Sequence, residues 1–385
     1  MTTRIVPILI TLLSMVMASV QSAHAAIIMV TNTNDSGPGS LRDALAAAFD
    51  GDTIDATGVS GTILLTSGEL GIYHGVTIKG PGAGTLAVNG NGSSRVFENF
   101  APGVSVAISG FTITNGLDND GGGGGAVLNG SPRAALTLSN CTVSGNSAEF
   151  GGGIANGNLV WGAWLVVSNS TISGNSADYG GGISNNSSLT ISNSTISGNS
   201  ADYGGGISNV YDGRTVASVR ISNCTLSGNS ATGHGGAIYN NSGLGHIPGL
   251  ALASTILNAG ASGGTIFSDG GTVTSLGYNL ASDAGGGILT GPGDQINTNP
   301  LLGPLQNNGG PTFTHELLPG SPAIDAGDPN FTSQPFYDQR GRDFFRVRND
   351  RIDIGSFEVQ AGSTPTPIPR TSPTPRPRLT PAPRQ

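Results

Sequence analysis

The sequence predicts an all-β chain wound as a right-handed, single-stranded parallel β-helix, and three observations predict it. A phrase beginning at Ser168, SNSTISGNSADYGGGISN, returns letter for letter at Ser192, with looser copies from Ser139 and Ser222. Its asparagines Asn140, Asn169, Asn193 and Asn223 lie 29, 24 and 30 residues apart. A unit that short cannot bury its own apolar face and must stack on its neighbours. Within each copy, apolar residues alternate with Ser and Thr, which is the period of a strand and not of a helix.

The elements follow in chain order. Residues 1–25 read as a secretory signal peptide: Arg4, an apolar run from Ile5 to Val20, then Ala23-His24-Ala25 as an A-x-A cleavage pattern. No other stretch approaches the ~18 apolar residues of a membrane helix, so the mature chain is expected to be exported without a transmembrane segment. Residues 26–100 are assigned to an N-terminal cap and the first coils. Ser40-Leu41-Arg42-Asp43 opens like a capping box, and LRDALAAAF is the one helical stretch. It is placed over the N-terminal end, because an open β-helix end pairs with any free strand. Thr77-Ile78 and Thr85 to Val88 read as early strands.

Residues 101–296 carry the repeats. Leu189 to Ser192 and Ser194 to Ser197 alternate as two short strands split by Asn193, and a third lies near Ile207 after a Gly-rich bend. Three strands per turn of about 24 residues is the economy of a β-helix. Stacking then places Asn140, Asn169, Asn193 and Asn223 in one amide ladder and Asn146, Asn175, Asn199 and Asn229 in a second. Decayed copies at Phe111 to Gly116, Ser254 to Asn258 and Thr272 to Leu280 extend the count to about nine to eleven coils, a rod of about 45–55 Å. Residues 297–360, richer in aromatics and Arg, are expected to close the C-terminal end. Residues 361–385 (from Gly362, GSTPTPIPRTSPTPRPRLTPAPRQ) are expected to be a disordered, polyproline-like spacer.

Composition narrows the partners. Residues 26–360 hold all 24 carboxylates against 11 of the 16 basic side chains, and an acidic body argues against nucleic acid. Cys141 and Cys224 occupy the same register with Ser170 and Ser194 between them. They are therefore three coils and about 14 Å apart, beyond the ~7 Å a disulfide spans.

The motifs also carry a resemblance. Gly235-Gly236-Ala237-Ile238 is similar to the GGA[IVL] hallmark of polymorphic outer membrane proteins, with Phe111-Thr112-Ile113-Thr114 missing the partner FxxN by one position. The opening VTNTNDSGPGSLRDAL resembles the segment named for its CSLREA signature, with Gly39 in place of the Cys. NNGGPTFTHELLPGSPAIDAGDP, followed by DQRGR and DIGSFE, resembles the choice-of-anchor Q domain. These resemblances imply a secreted or surface-displayed bacterial β-helix of the pectate-lyase-like superfamily. They imply no defined activity, since fold does not give function.

That superfamily includes polysaccharide lyases and polygalacturonases, whose chemistry needs clustered carboxylates or convergent cation ligands. Gly233-His234-Gly235 imitates a polygalacturonase GHG, but no Asp-Asp pair occurs, and the carboxylates flanking it most closely beyond its own repeat are Asp212 and Asp269. His234 reads as a bend residue. A calcium-assisted lyase needs convergent Asp ligands and a basic side chain, and residues 134–268 offer only Arg214 and Arg220. No catalytic residue and no metal ligand is assigned, and no cofactor is expected, Ca²⁺ being the one cation considered. Asp325, Asp328, Asp338, Asp353 and Glu358, with Arg340, Arg342, Arg346, Arg348 and Arg351, read as structural salt bridges. One register position is distinctive: Glu149-Phe150, Asp178-Tyr179 and Asp202-Tyr203 should stack as parallel acidic and aromatic ladders. That strip is the candidate binding surface. The expectation is an adhesin-like, monomeric binding scaffold, extracellular or at the cell surface or outer membrane, for a polysaccharide or a host or neighbouring-cell ligand. The alternatives are a polysaccharide lyase or hydrolase with a divergent site, which needs a carboxylate cluster not evident in the sequence, and a structural envelope module.

Overall fold

The structure is a computed structural model that describes residues 25–118, 120–157, 162–210, 217–243, 247–332 and 334–360. All but Ala25 of the expected signal peptide, the whole expected tail, Asp212 and Arg214 lie outside the described residues.

Each turn contributes one strand to each of three faces. In a central turn these are Ser188–Ser192 on the first face, Thr195–Ser197 on the second and Ile207–Val210 on the third. Among the described residues the first face stacks ten strands, the second nine and the third eight, every rung parallel to the next. This is a parallel β-helix of about eight complete turns with partial turns at its ends. Register keeps like on like, as in the column Ile108, Leu138, Val167, Ile191, Ile221 and Leu252 along the first face. All six are fully buried, so the fold is a stack of aliphatic columns rather than a conventional two-layer core.

The two expected asparagine ladders differ. Asn146, Asn175, Asn199 and Asn229 are buried and linked by amide-to-amide bonds of 2.8, 2.9 and 2.9 Å. The other column is corrected: among Asn140, Asn169, Asn193 and Asn223 a single amide bond forms, Asn193 donating to Asn169 at 2.6 Å. The buried Oδ1 of Asn223 finds no partner. What these four share is φ of 49–53°, the left-handed corner between first and second faces, which Asn tolerates better than any other residue with a side chain except Asp. A third column, along the third face, is the most continuous of the three. Asn99, Asn129, Asn156, Asn185, Asn209 and Asn240 are joined by amide bonds of 2.8–2.9 Å.

Cys141 and Cys224 are free and buried. Burial pushes their thiols up to about 11 and about 12. Each sits in a column with Ser170 and Ser194, whose hydroxyls accept the main-chain N–H of the preceding member at 3.1 and 3.2 Å.

At the N-terminal end lies helix α1 (Leu41–Ala47), with Leu41, Ala44 and Leu45 buried in the core. The Ser40 hydroxyl accepts the Asp43 N–H at 3.1 Å. Asp43 does not return the bond and accepts from Gly37 N instead, so the capping box is half formed.

Residues 297–360 begin at the C-terminal end, where Asn297 N and Thr298 N donate to Asp283 O and Ala281 O of the last rung at 2.7 and 3.0 Å, but most of them leave it. They run along the flank of the second face as a strap. Thr171 donates to Phe313 O (2.6 Å), Thr195 to Gln339 (2.6 Å), and Ser197 pairs with His315 (2.9 Å). Ser356 N donates to Thr225 (3.1 Å), and Arg346 to Asn193. The outward hydroxyls of a β-helix face are a regular polar column that a second polar layer can satisfy, which is why the strap lies there. The C-terminal end of the core meets a short turn instead, Gly285–Gly287, followed by the buried Leu289.

Candidate functional site

The acidic-aromatic strip forms as the register predicts. Phe150, Tyr179 and Tyr203 occupy successive parallel bridges. Their rings stack at 5.5 and 5.3 Å with interplanar angles of 14° and 15°, offset-stacked spacings for aromatic pairs. The backbone holds them there: Glu149 O accepts from both Asp178 N and Tyr179 N, and Asp178 O from both Asp202 N and Tyr203 N. The glycine after each ring is obligatory. Gly204 has φ +69°, and a Cβ on it would lie 2.4 Å from Ile207 O. Glu149, Asp178 and Asp202 are exposed beside the rings, and Asp202 accepts from the Thr232 hydroxyl at 2.6 Å.

The structure extends the strip past its expected end. Tyr203 contacts Tyr239 at 5.2 Å, Tyr239 stacks with Phe267 at 5.8 Å, and His234 stacks with Phe267 at 4.1 Å. His234 is thus a bend residue, as expected, and also a member of the ring run. Tyr239 and Phe267 were missed because they come from a different register position, the outward site after the third-face isoleucine. There, Ala155, Ser184 and Ser208 occupy the earlier rungs. Those three point outward by strand alternation yet are buried. Small side chains leave room for rings from the bend, and where the bend column ends the sheet supplies rings of its own. Burial, with Tyr203, Tyr179 and Asp269 nearby, holds the Tyr239 phenol above its ordinary range.

The same third-face column continues N-terminally through Leu128 to Glu98, and there the expectation that no carboxylate cluster exists is corrected. Arg95, almost fully buried, is met by Glu69 (2.7 Å), Glu98 (2.6 Å), Asp118 (2.9 Å) and Asp120 (2.9 Å). Its Nε donates to Gly123 O at 3.1 Å. Burial disfavours the Arg95 charge, but the four carboxylates outweigh it and raise its pKa. Burial and the adjoining Glu69 push Glu98 up to about 7. Burial and a hydrogen bond with Asp120 raise Asp118, while that bond and the Gly122 N–H lower Asp120 to about 2. The acids come from successive turns, so no linear motif displays them. Among the described residues no group of three or more His, Cys, Asp or Glu is arranged to hold a metal; here the guanidinium occupies the centre a cation would take. No ion pair among the described residues involves His234.

In the strap, the expected network of salt bridges reduces to one pair among the described residues. Arg340 grips Asp338 through Nε at 3.0 Å and the Phe344 and Phe357 rings lie 3.9 and 3.7 Å from its guanidinium. Arg346 is fully buried and donates to Gly355 O at 2.7 Å. Arg351 donates to Gly327 O and Ala326 O. Asp353 accepts from Asp325 N and Val359 N, and Glu358 from Asp353 N. Three buried carboxyls face two buried guanidiniums, and burial with Asp353 close by pushes Glu358 up to about 9.

No known protein family matches the chain, and no curated protein does. Among solved structures, the crystal structure of pectate lyase Pel9A is similar with a TM-score of 0.37 and 14% sequence identity, over 88% of this chain and 97% of that one. Among the described residues no helix is long and apolar enough to cross a membrane.

Proposed function

We propose that this protein is an exported, non-enzymatic binding scaffold of adhesin-like type that holds a glycan along the ring run of the third face. The observation behind this reading is the unbroken succession Phe150, Tyr179, Tyr203, Tyr239 and Phe267, with His234 stacked on the last. Half-exposed rings repeating at the rung spacing offer flat apolar faces to the C–H faces of successive sugars. Charge sets the class of sugar. Glu149, Asp178, Asp202 and Asp269 flank the rings and the acidic cluster lies farther along the same face, so a polyuronate is repelled and a neutral or amino-bearing polysaccharide is favoured. The A-x-A leader supports export.

The alternative, a polysaccharide hydrolase or lyase with a divergent site, draws on the carboxylates gathered around Arg95 on this face, where burial and Glu69 push Glu98 up to about 7, the direction a general acid needs. One experiment separates the readings. The mature protein is presented to neutral, amino and uronic polysaccharides, with product release followed in the same samples. Retention of neutral or amino glycans without release, lost in the Tyr179→Ala/Tyr203→Ala double variant, supports the scaffold. Release at turnover overturns it in favour of an enzyme, and no retention of any glycan leaves a structural module.

A further inference from the structure

The strap carries an apolar feature that neither the ring run nor the docking onto the coils uses. Phe331, Pro335, Phe336, Tyr337, Phe345 and Val347 line an open groove of about 290 Å³. Phe336 is 62% exposed, Phe345 48% and Val347 47%, in a chain with only 5% aromatic residues. Tyr337 and Phe345 are paired across an antiparallel bridge, with their rings 5.2 Å apart.

We propose that this groove is the seat of the chain's own Pro-rich segment, Thr364–Pro369. The described chain ends at its lip: the Gln360 amide donates to Phe345 O at 3.2 Å and its oxygen accepts from Arg348 Nε at 2.9 Å. Beyond Gln360 come 25 residues holding eight of the 22 prolines. Aromatic-lined grooves are what extended Pro-rich segments recognise, because the polyproline conformation exists before binding and loses little entropy on docking. Thr-Pro-Thr-Pro-Ile-Pro, from Thr364, offers alternating prolines with Ile368 as an apolar anchor. The reach is sufficient, since Ala361 to Thr364 at about 3.1 Å per residue span about 12 Å from Gln360. Tethering favours this occupant over a separate molecule. A short linker supplies an effective concentration on the order of millimolar, enough to fill a site that would bind a free peptide weakly.

Trypsin reads the docking directly through the Arg370-Thr371 bond, which follows the seated segment. In the mature full-length chain this bond is cut about tenfold more slowly than in a synthetic peptide of residues 361–385, because only the undocked fraction is cleavable. The Phe336→Ala variant, and separately Pro365→Gly with Pro367→Gly, return the rate to that of the peptide. The second variant leaves the folded body untouched, so loss of fold cannot mimic the result. Equal rates for chain and peptide, or protection that survives both variants, overturn the proposal. Protection that appears only as protein concentration rises assigns the groove to the tail of a second copy and overturns the same-chain assignment.

Discussion

Asn199→Ala distinguishes an asparagine that carries hydrogen bonds from one that only turns a corner. Asn199 is fully buried; its Oδ1 accepts from Asn175 N at 3.0 Å and Asn175 Nδ2 at 2.9 Å, and its Nδ2 donates to Asn229 Oδ1 at 2.9 Å. Truncation orphans two donors on Asn175 that water cannot reach. Each buried unsatisfied group costs about 1–3 kcal/mol, so the loss is about 4 kcal/mol. Asn140 is half-buried at φ 52°, and its side chain makes no hydrogen bond among the described residues. Asn140→Ala forces a left-handed alanine at about 1 kcal/mol, and Asn140→Gly is nearly neutral. Urea unfolding followed by far-ultraviolet circular dichroism, with slopes compared to exclude a change in cooperativity, measures all three. Equal losses for Asn199→Ala and Asn140→Ala would refute the division of the two columns.

Gly204→Ala should destabilise by about 3 kcal/mol or more, since both its φ of +69° and the contact with Ile207 O oppose a side chain; thermal melting checks it. Cys141 and Cys224, buried with thiols pushed up to about 11 and about 12, should give no reaction with a thiol reagent at pH 8 until the chain is unfolded, when both react. Glu358 has its folded pKa raised from 4.5 to about 9. Its contribution is fully present below about pH 4.5 and is lost as pH rises toward 9. The strap should therefore melt at lower temperature at pH 9 than at pH 6, and Glu358→Gln should flatten that dependence.

The parts legible in the sequence are those that repeat along a column. Strand positions, the Asn146 ladder and the ring register of Phe150, Tyr179 and Tyr203 each follow from aligning copies, because stacking converts sequence period into spatial contact. The column Asn156, Asn185 and Asn209 was equally available, since each closes its copy of the phrase. The acidic cluster was not legible in the same way. Glu69, Glu98, Asp118 and Asp120 lie in early turns where the phrase has decayed, and they meet through one arginine rather than through a register. Nor was the strap's position, because its contacts to Thr171, Thr195 and Thr225 join residues more than 130 positions apart that no local pattern connects.

The near-identity of the two central turns has a physical reading that a deletion can test. These turns are used on two sides at once: Tyr179 and Tyr203 face the ring run, while Thr171, Thr195, Asn169 and Asn193 face the strap. Removing residues 170–193 takes out one whole turn and joins Asn169 to Ser194, restoring the phrase unchanged. Every strap contact then meets the residue type it met before, for the place of Thr171 passes to Thr142, that of Asn193 to Asn169, and that of Asn169 to Asn140. The ladder closes as Asn146 to Asn199, and the ring run as Phe150 to Tyr203. The shortened chain should fold cooperatively, keep hydrogen-exchange protection at Gln339 and Ser356, and lose glycan retention only in proportion to the missing ring. A deletion of 20 residues from the same point shifts every column off its partner and should not fold. If both deletions fold, or neither does, register is not what locks the strap to the coils.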